Sequence, residues 1–101
     1  MWIVGRGEGM RFQVIRDCRR AEPEQRYIFS TLEVFPRLGE ERRREIRALI
    51  GRIAATPEEG LALFALLVRG ESPQRINSRT GVPVVRLYRM RRDFYEQFPI
   101  G

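Results

Sequence analysis

The amino-acid sequence predicts a mainly α-helical fold, arranged as a small helical bundle in one domain over residues 1–101. Apolar residues recur at intervals of three and four along most of the chain, which is the period of a helix with one buried face. Two segments also open with a hydroxyl side chain followed by proline, at Thr56-Pro57 and Ser72-Pro73. A hydroxyl caps a helix well, and proline suits the first helical position, where its missing N–H costs nothing.

The N-terminal segment, residues 1–38, is the part whose secondary structure the sequence leaves open. Two short apolar runs, Trp2–Val4 and Met10–Ile15, flank a glycine-rich stretch. This pattern is typical of a β-hairpin, but a helix that begins near Met10 fits the apolar positions almost as well. A third alternative is that Met10 is the natural start and that residues 1–9 lie upstream of it. A phosphate-binding loop is a poor alternative, because neither a βαβ unit nor a lysine follows the glycines.

The segment that follows should be a loop and then two helices. Arg16–Gln25 is charged and contains Pro23, which indicates a loop or the end of a helix. A short helix through Tyr27 should stop before Pro36. The next helix is expected from about residue 39 to residue 55, with one apolar stripe and an arginine-rich remainder.

A third helix should start at Pro57 and end at Gly70. Thr56 and Glu59 have the spacing of a capping box, in which each side chain bonds the backbone of the other. The residues from Leu61 onward are apolar nearly all round, as in a helix at the centre of a fold. We therefore expect this helix to be buried, with Phe64 and Leu67 in the core. Residues 39–98 would then form the helical core of the domain.

Composition bears on the partners of this chain. With 101 residues, 43% of them hydrophobic, it can build one core. The formal net charge is +6, and all nineteen basic residues are arginine. Guanidinium groups suit phosphate and guanine recognition better than ammonium groups do. A GC-rich genome explains the lack of lysine equally well.

Several kinds of chemistry are disfavoured. The chain has no histidine, and its single Cys18 gives neither an internal disulfide nor a metal-ligand pattern, so we expect no metal and no cofactor. Two aspartates and scattered glutamates leave no carboxylate cluster for catalysis, so we expect no enzyme activity. The longest apolar run, Leu61–Val68, is too short to span a membrane, and the N-terminus lacks a secretory signal. We expect a cytoplasmic protein without a membrane partner.

Residues 70–92 are the most informative stretch of the sequence. Ser72 caps a short helix, and Gly81 can adopt the left-handed conformation that ends it and turns the chain. A second helix, from about Val84 to Gln97, then presents an arginine-rich outer face. Its outward positions should be Val84, Val85, Arg86, Tyr88, Arg89 and Arg92. Its core positions should be Leu87, Phe94 and either Met90 or Arg91. This arrangement, at about residues 72–97, is typical of a helix-turn-helix whose second helix enters a DNA major groove.

The same stretch resembles the helix-turn-helix of bacterial transcription factors, especially sigma-factor region 4, and related phage and transposase modules. The likeness covers roughly residues 56–98. Its matching positions are Gly70 and Ser72 before the first helix, Ile76 within it, Gly81-Val82-Pro83 at the turn, and Leu87-Tyr88-Arg89 after it. Two positions depart from the pattern. Asn77 stands where a small apolar residue is usual, and Thr80 stands where many of these modules have leucine.

The resemblance implies DNA contact near promoters, and RNA polymerase as a further partner. A full sigma factor is excluded by length, because no room remains for a region that melts promoters. The predicted function is therefore a small bacterial or phage transcriptional regulator that binds specific sites in double-stranded DNA.

The candidate DNA-binding residues lie on both helices of the motif. They are Ser72, Gln74, Arg75, Arg79, Val84, Val85, Arg86, Tyr88, Arg89 and Arg92. The residues from the first helix should lie near phosphates, and Arg86, Tyr88 and Arg89 should face the groove. The valines either touch thymine methyl groups or pack at the helix start. A plainer interpretation is that the arginines form a solvated face, as the run Arg42–Arg44 does unless it contacts phosphates.

The alternative function is a protein-interaction module that has the shape of a helix-turn-helix but does not bind DNA. Tyr88, Val84, Val85 and Met90 would then form a contact patch, for example a homodimer face.

Overall fold

The computed structural model describes residues 11–100 and shows a helical bundle. Five α-helices and one short 3-10 helix occur in this range, and no β-strand does. They are α1 (Glu22–Glu33), the 3-10 helix (Phe35–Arg37), α2 (Glu40–Ile53), α3 (Pro57–Leu67), α4 (Pro73–Thr80) and α5 (Val84–Gln97). The prediction of a mainly α-helical fold is confirmed.

Residues 11–21 form a strap that leads into α1 and has no regular secondary structure. The strap contains residues 11–15 of the predicted hairpin, and these form neither a strand nor the beginning of a helix. The first apolar run and the glycines of that hairpin lie outside the described residues.

α1 begins earlier than the sequence suggested, at Glu22. The prediction that Pro23 breaks the chain into a loop was wrong, because Pro23 lies in the first turn of α1. In the first turn the N–H that proline lacks would have no partner within the helix. Glu22 and Glu24 add negative charge at the same end, which the helix dipole favours.

α3 is one of two helices that contact three others, since it packs against α2, α4 and α5. Leu63 has no exposed surface, and Leu67 is buried. The prediction that α3 is buried all round was wrong for its outer side, where Leu61 is 71% exposed and Phe64 is only half-buried. Three neighbouring helices cover part of the α3 surface, and no helix of the described chain covers the side that carries Leu61.

The strap is fixed to the bundle by Gln25 of α1. Gln25 is 2% exposed. Its side-chain carbonyl oxygen accepts from the Ile15 N–H at 2.8 Å. Its amide group donates to the backbone carbonyls of Ile15 at 3.3 Å and Arg20 at 3.0 Å. These bonds give the Ile15 N–H and the Arg20 carbonyl partners inside the fold, and they add to the bond that the Ile15 carbonyl accepts from the Cys18 N–H at 3.4 Å.

A second attachment joins the strap to the C-terminal end of α5. Arg20 donates to the backbone carbonyls of Tyr95 at 3.0 Å and Glu96 at 3.4 Å, and also to that of Phe98. The last carbonyls of a helix have no partner within it, and their partial negative charge attracts a cation. Arg20 therefore caps the C-terminal end of α5, although it lies 75 or more positions earlier in the sequence.

Candidate nucleic-acid interface

α4 is a short helix whose ends are both fixed by local signals. The Ser72 hydroxyl accepts from the Arg75 N–H at 3.2 Å, as a capping residue does. Ile76 is the fully buried residue that anchors the helix to the core. Gly81 ends it with a φ of 83°, in the left-handed region where a side chain would be strained. The predicted cap and glycine turn are therefore present.

The turn after α4 is held by the two residues that depart from the resembled pattern. The Asn77 side-chain amide donates to the Val82 carbonyl at 2.9 Å. The Thr80 hydroxyl donates to the Ile76 carbonyl at 2.7 Å and accepts from the Val82 N–H at 3.2 Å. These bonds span the turn on both sides of Gly81. Asn77 and Thr80 thus supply polar contacts that fix the direction in which α5 starts.

α5 divides into a buried face and an outer face. Leu87, Met90 and Phe94 have no exposed surface, which settles the core position in favour of Met90 rather than Arg91. On the outer face, Val85 is 61% exposed, Tyr88 is 41% exposed and Arg89 is also exposed. Because Tyr88 and Arg89 follow Val85 by three and four residues, the three side chains share one side of the helix.

Arg86 differs from the sequence interpretation, which placed it free on the outer face. Its Nε donates to Glu59 Oε2 at 3.1 Å and its Nη2 to Glu59 Oε1 at 2.9 Å, a two-pronged ion pair. Glu59 Oε1 also accepts from the Ala55 N–H at 2.8 Å, so it caps the start of α3 at the same time. Arg86 thus ties the first turn of α5 to the start of α3. Residues 59 and 86 are far apart in sequence, and no local pattern pairs them.

The Arg86–Glu59 pair should make stability depend on pH. The hydrogen bonds from Arg86, and then the one from Ala55, hold the pKa of the Glu59 carboxyl below its ordinary value of 4.5. A lowered folded-state pKa contributes stability above the unfolded value, and that stability is lost as the pH falls through the folded value. We expect Glu59→Gln to lower the melting temperature at neutral pH and to lower it by less near pH ~3, because protonation of Glu59 weakens the ion pair as the pH falls. Glu58→Gln, on the exposed neighbour in the same helical turn, is the control: it loses a favourable charge at the helix start but no ion pair, so it should lower the melting temperature at neutral pH by less than Glu59→Gln does. An equal drop in the melting temperature of Glu59→Gln at both pH values would contradict this role.

Two more predicted DNA-binding arginines are paired with acids. Arg79 forms an ion pair with Glu71. Arg92 pairs with Asp17 of the strap and with Asp93, each at 3.2 Å. Arg92 is therefore partly covered rather than free on the outer face. These pairs lower the positive charge that the surface presents.

The candidates with free cationic or polar groups are fewer than the sequence suggested. Arg75 and Arg89 are exposed and form no ion pair with any described residue. Gln74 is exposed beside Arg75, and so is Ser78, which the sequence interpretation did not include. A shallow depression along α4 is lined by Gln74, Arg75 and Ser78 together with Glu71 and Arg79. Val84 is half-buried, and the Ser72 hydroxyl is used in the cap.

The strap adds an element that sequence reasoning missed. Residues 13–17 lie beside α5 and form one wall of an open groove of about 460 Å³. Val14 and Arg16 from the strap are exposed and face Val85, Tyr88 and Arg89 across the groove. The Arg91 guanidinium lies over the Tyr88 ring, 5.0 Å from its centroid, and holds that side chain in place. The groove therefore combines apolar side chains with cations.

The described residues have neither a metal-binding cluster nor a membrane-spanning helix. Residues 11–100 contain no group of three or more side chains of the types that bind metals. In the same range, no helix combines the length and apolar character that crossing a membrane requires. Burial raises the pKa of the Cys18 thiol, so this side chain stays protonated at neutral pH.

Comparison of this chain with protein families, curated proteins and solved structures finds no match.

Proposed function

We propose that this chain binds double-stranded DNA through a helix-turn-helix made of α4 and α5. The observation that carries the proposal is the exposed stripe of Val85, Tyr88 and Arg89 on the helix that follows the Gly81 turn. In helix-turn-helix proteins the second helix enters the major groove and reads base edges with residues of its N-terminal half. This stripe occupies that half of α5.

Each exposed side chain has a chemically suitable partner in DNA. Arg89 can donate two hydrogen bonds to guanine O6 and N7, and Val85 can contact a thymine methyl group. Arg75, Gln74 and Ser78 on α4 are donors suited to phosphate oxygens. Arg16 places a further cation beside the same groove. Arg86, held by Glu59, contributes by orienting α5 rather than by reading a base.

The charge of the chain fits the same role. A formal net charge of +6 favours association with a polyanion, and phosphate contacts release counterions. A protein of this kind would act as a transcriptional regulator, with RNA polymerase as a further partner.

The test is a binding titration on duplex DNA at several salt concentrations, using a site selected from a random-sequence pool. If the paired arginines stay paired, about four phosphates are contacted, and affinity should fall roughly a hundredfold between 50 and 200 mM salt. Arg89→Ala should weaken the selected site by about 1–3 kcal/mol and flatten base preference at one position. Arg52→Ala, an exposed arginine of α2, is the matched control and should change binding little.

Two results would overturn the proposal. One is the absence of binding at low salt. The other is an equal loss of affinity in Arg89→Ala and Arg52→Ala, on the selected site and on unrelated DNA alike. The protein would then bind DNA through its general positive charge alone.

A second candidate function is favoured by one observation. Val14, Val85 and Tyr88 are large apolar side chains that are exposed along the same groove. Such a patch suits a protein interface, including a homodimer face. Met90 takes no part in it, because it is fully buried. If this patch is a homodimer face, sedimentation should show a dimer that Tyr88→Ser dissociates, and the protein should not bind duplex DNA.

A further inference from the structure

A second basic cleft lies away from the α4–α5 surface, where the 3-10 helix, α2 and the end of α3 meet. It is open and has a volume of about 500 Å³. Its lining includes three arginines and three apolar residues, namely Arg43, Arg47, Arg69, Phe35, Phe64 and Val68. None of these residues belongs to the candidate DNA-binding surface. A ligand of this cleft would therefore bind independently of DNA.

The cleft is positively charged, and of its arginines only Arg43 has acceptors among the described residues, the backbone carbonyls of Pro36 at 3.4 Å and of Leu38. No carboxylate contributes to its lining, and none of its three arginines forms an ion pair with a described residue. Several other arginines do have such partners, for example Arg86 and Arg92. Three adjacent cations without anions repel one another, so an anionic ligand would relieve an unfavourable interaction.

The floor of the cleft is aromatic. The rings of Phe35 and Phe64 meet edge to face, with centroids 5.3 Å apart. The Arg47 guanidinium lies over both rings, at 5.3 Å from Phe35 and 5.9 Å from Phe64. Arg69 lies over Phe64 from another position, at 5.9 Å. These contacts hold the guanidiniums beside the apolar floor and leave their N–H donors available at the rim.

We propose that this cleft binds an acidic segment of a partner protein that carries one apolar anchor side chain. The anchor would cover Phe64 and Val68, and flanking carboxylates would accept hydrogen bonds from Arg47 and Arg69. Arginine pairs with carboxylates through two parallel hydrogen bonds, and arginines around an aromatic centre are typical of the residues that dominate interface energetics. Leu61, one turn earlier on α3 than Phe64, is 71% exposed and extends the apolar surface.

Nucleic acid fits this cleft less well than an acidic peptide does. Proteins that hold single strands offer free aromatic faces on which bases stack. Here guanidiniums already lie over Phe35 and Phe64. An acidic peptide needs no free ring face, because its carboxylates can pair with the guanidiniums where they lie and a compact aliphatic side chain can contact the exposed part of Phe64.

The experiment measures fluorescence anisotropy with the full chain and a labelled peptide in which one leucine is flanked by runs of glutamate. Matched peptides replace all glutamates by glutamine, or the leucine by serine. We expect both replacements to weaken binding about tenfold or more, which corresponds to about 1.4 kcal/mol. Arg47→Gln and Arg69→Gln should each weaken binding of the acidic peptide to a similar extent. Arg52→Gln and Arg89→Ala should leave its binding unchanged, and melting curves verify that all variants are folded.

The proposal is overturned if the acidic peptide does not bind, or if Arg52→Gln weakens it as much as Arg47→Gln does. It is also overturned if the serine peptide binds as well as the parent, since charge alone would then account for binding. If Arg47→Gln and Arg69→Gln instead reduce duplex DNA binding and peptide does not compete, the cleft is a nucleic-acid contact. The binding of the acidic peptide to this cleft does not depend on whether α5 binds DNA.

Discussion

Replacing Leu63 with alanine is expected to destabilise the domain by about 2–5 kcal/mol. Leu63 lies on the side of α3 that packs into the bundle and has no exposed surface. The truncation removes buried methyl groups and leaves a cavity that three neighbouring helices cannot close without shifting. A domain of this size has about 5–15 kcal/mol of total stability. The variant should therefore lose a large part of it in a urea or thermal melt.

The matched control is Leu61→Ala, two positions earlier on the same helix. Leu61 is 71% exposed, so its truncation should change stability by less than about 0.5 kcal/mol. Similar losses for the two variants would mean that the buried side of α3 has been assigned to the wrong residues. The loss for Phe64→Ala should lie between them, because Phe64 is half-buried on the floor of the cleft.

The second large effect is expected for Gln25→Ala, on the order of 2–5 kcal/mol. This side chain bonds both backbone groups of Ile15 and the carbonyl of Arg20. Its removal leaves the Ile15 N–H and the Arg20 carbonyl without their partner, where the strap is packed against α1, whereas the Ile15 carbonyl keeps the Cys18 N–H at 3.4 Å. The amide of Ile15 should also lose its protection against hydrogen exchange. A melt together with exchange measured by nuclear magnetic resonance tests both statements.

Ser30→Ala, at an exposed position of the same helix, is the control for Gln25→Ala and should leave both measurements unchanged. The protonated form of Gln25→Glu keeps an acceptor for Ile15 and has one O–H donor in place of the amide's two N–H donors, so its stability should fall between that of Gln25→Ala and that of the unaltered protein. Unchanged protection of Ile15 in Gln25→Ala would show that the strap is held by other contacts.

The fold class could be predicted because its determinants are local. The cap at Ser72, the glycine at residue 81 and the apolar spacing of α5 each act within one or two turns, and each is found in the structure. The start of α1 was missed because proline was interpreted as a breaker, although it is equally suited to a first turn. Burial around α3 was overestimated because an apolar pattern does not say how many helices surround it.

The candidate site could be predicted only in part, for a different reason. Which arginines are free depends on acids that are distant in sequence, such as Glu59 for Arg86 and Asp17 for Arg92. Spacing rules describe neighbours on one helix and carry no information on such pairs. The cleft around Phe64 was missed for the same reason, because its arginines and rings come from three separate segments.

The attachment of Arg20 to the end of α5 also bears on how the domain is made in the cell. During synthesis the strap leaves the ribosome before its partners at Tyr95, Glu96 and Phe98 do. Contacts between residues 75 to 78 positions apart close a long loop, which slows folding relative to local contacts. Helices α1 to α4 can form on the growing chain, whereas docking of the strap must wait for the last turn of α5. We therefore expect the folding of this domain to finish only after nearly all of it has been translated.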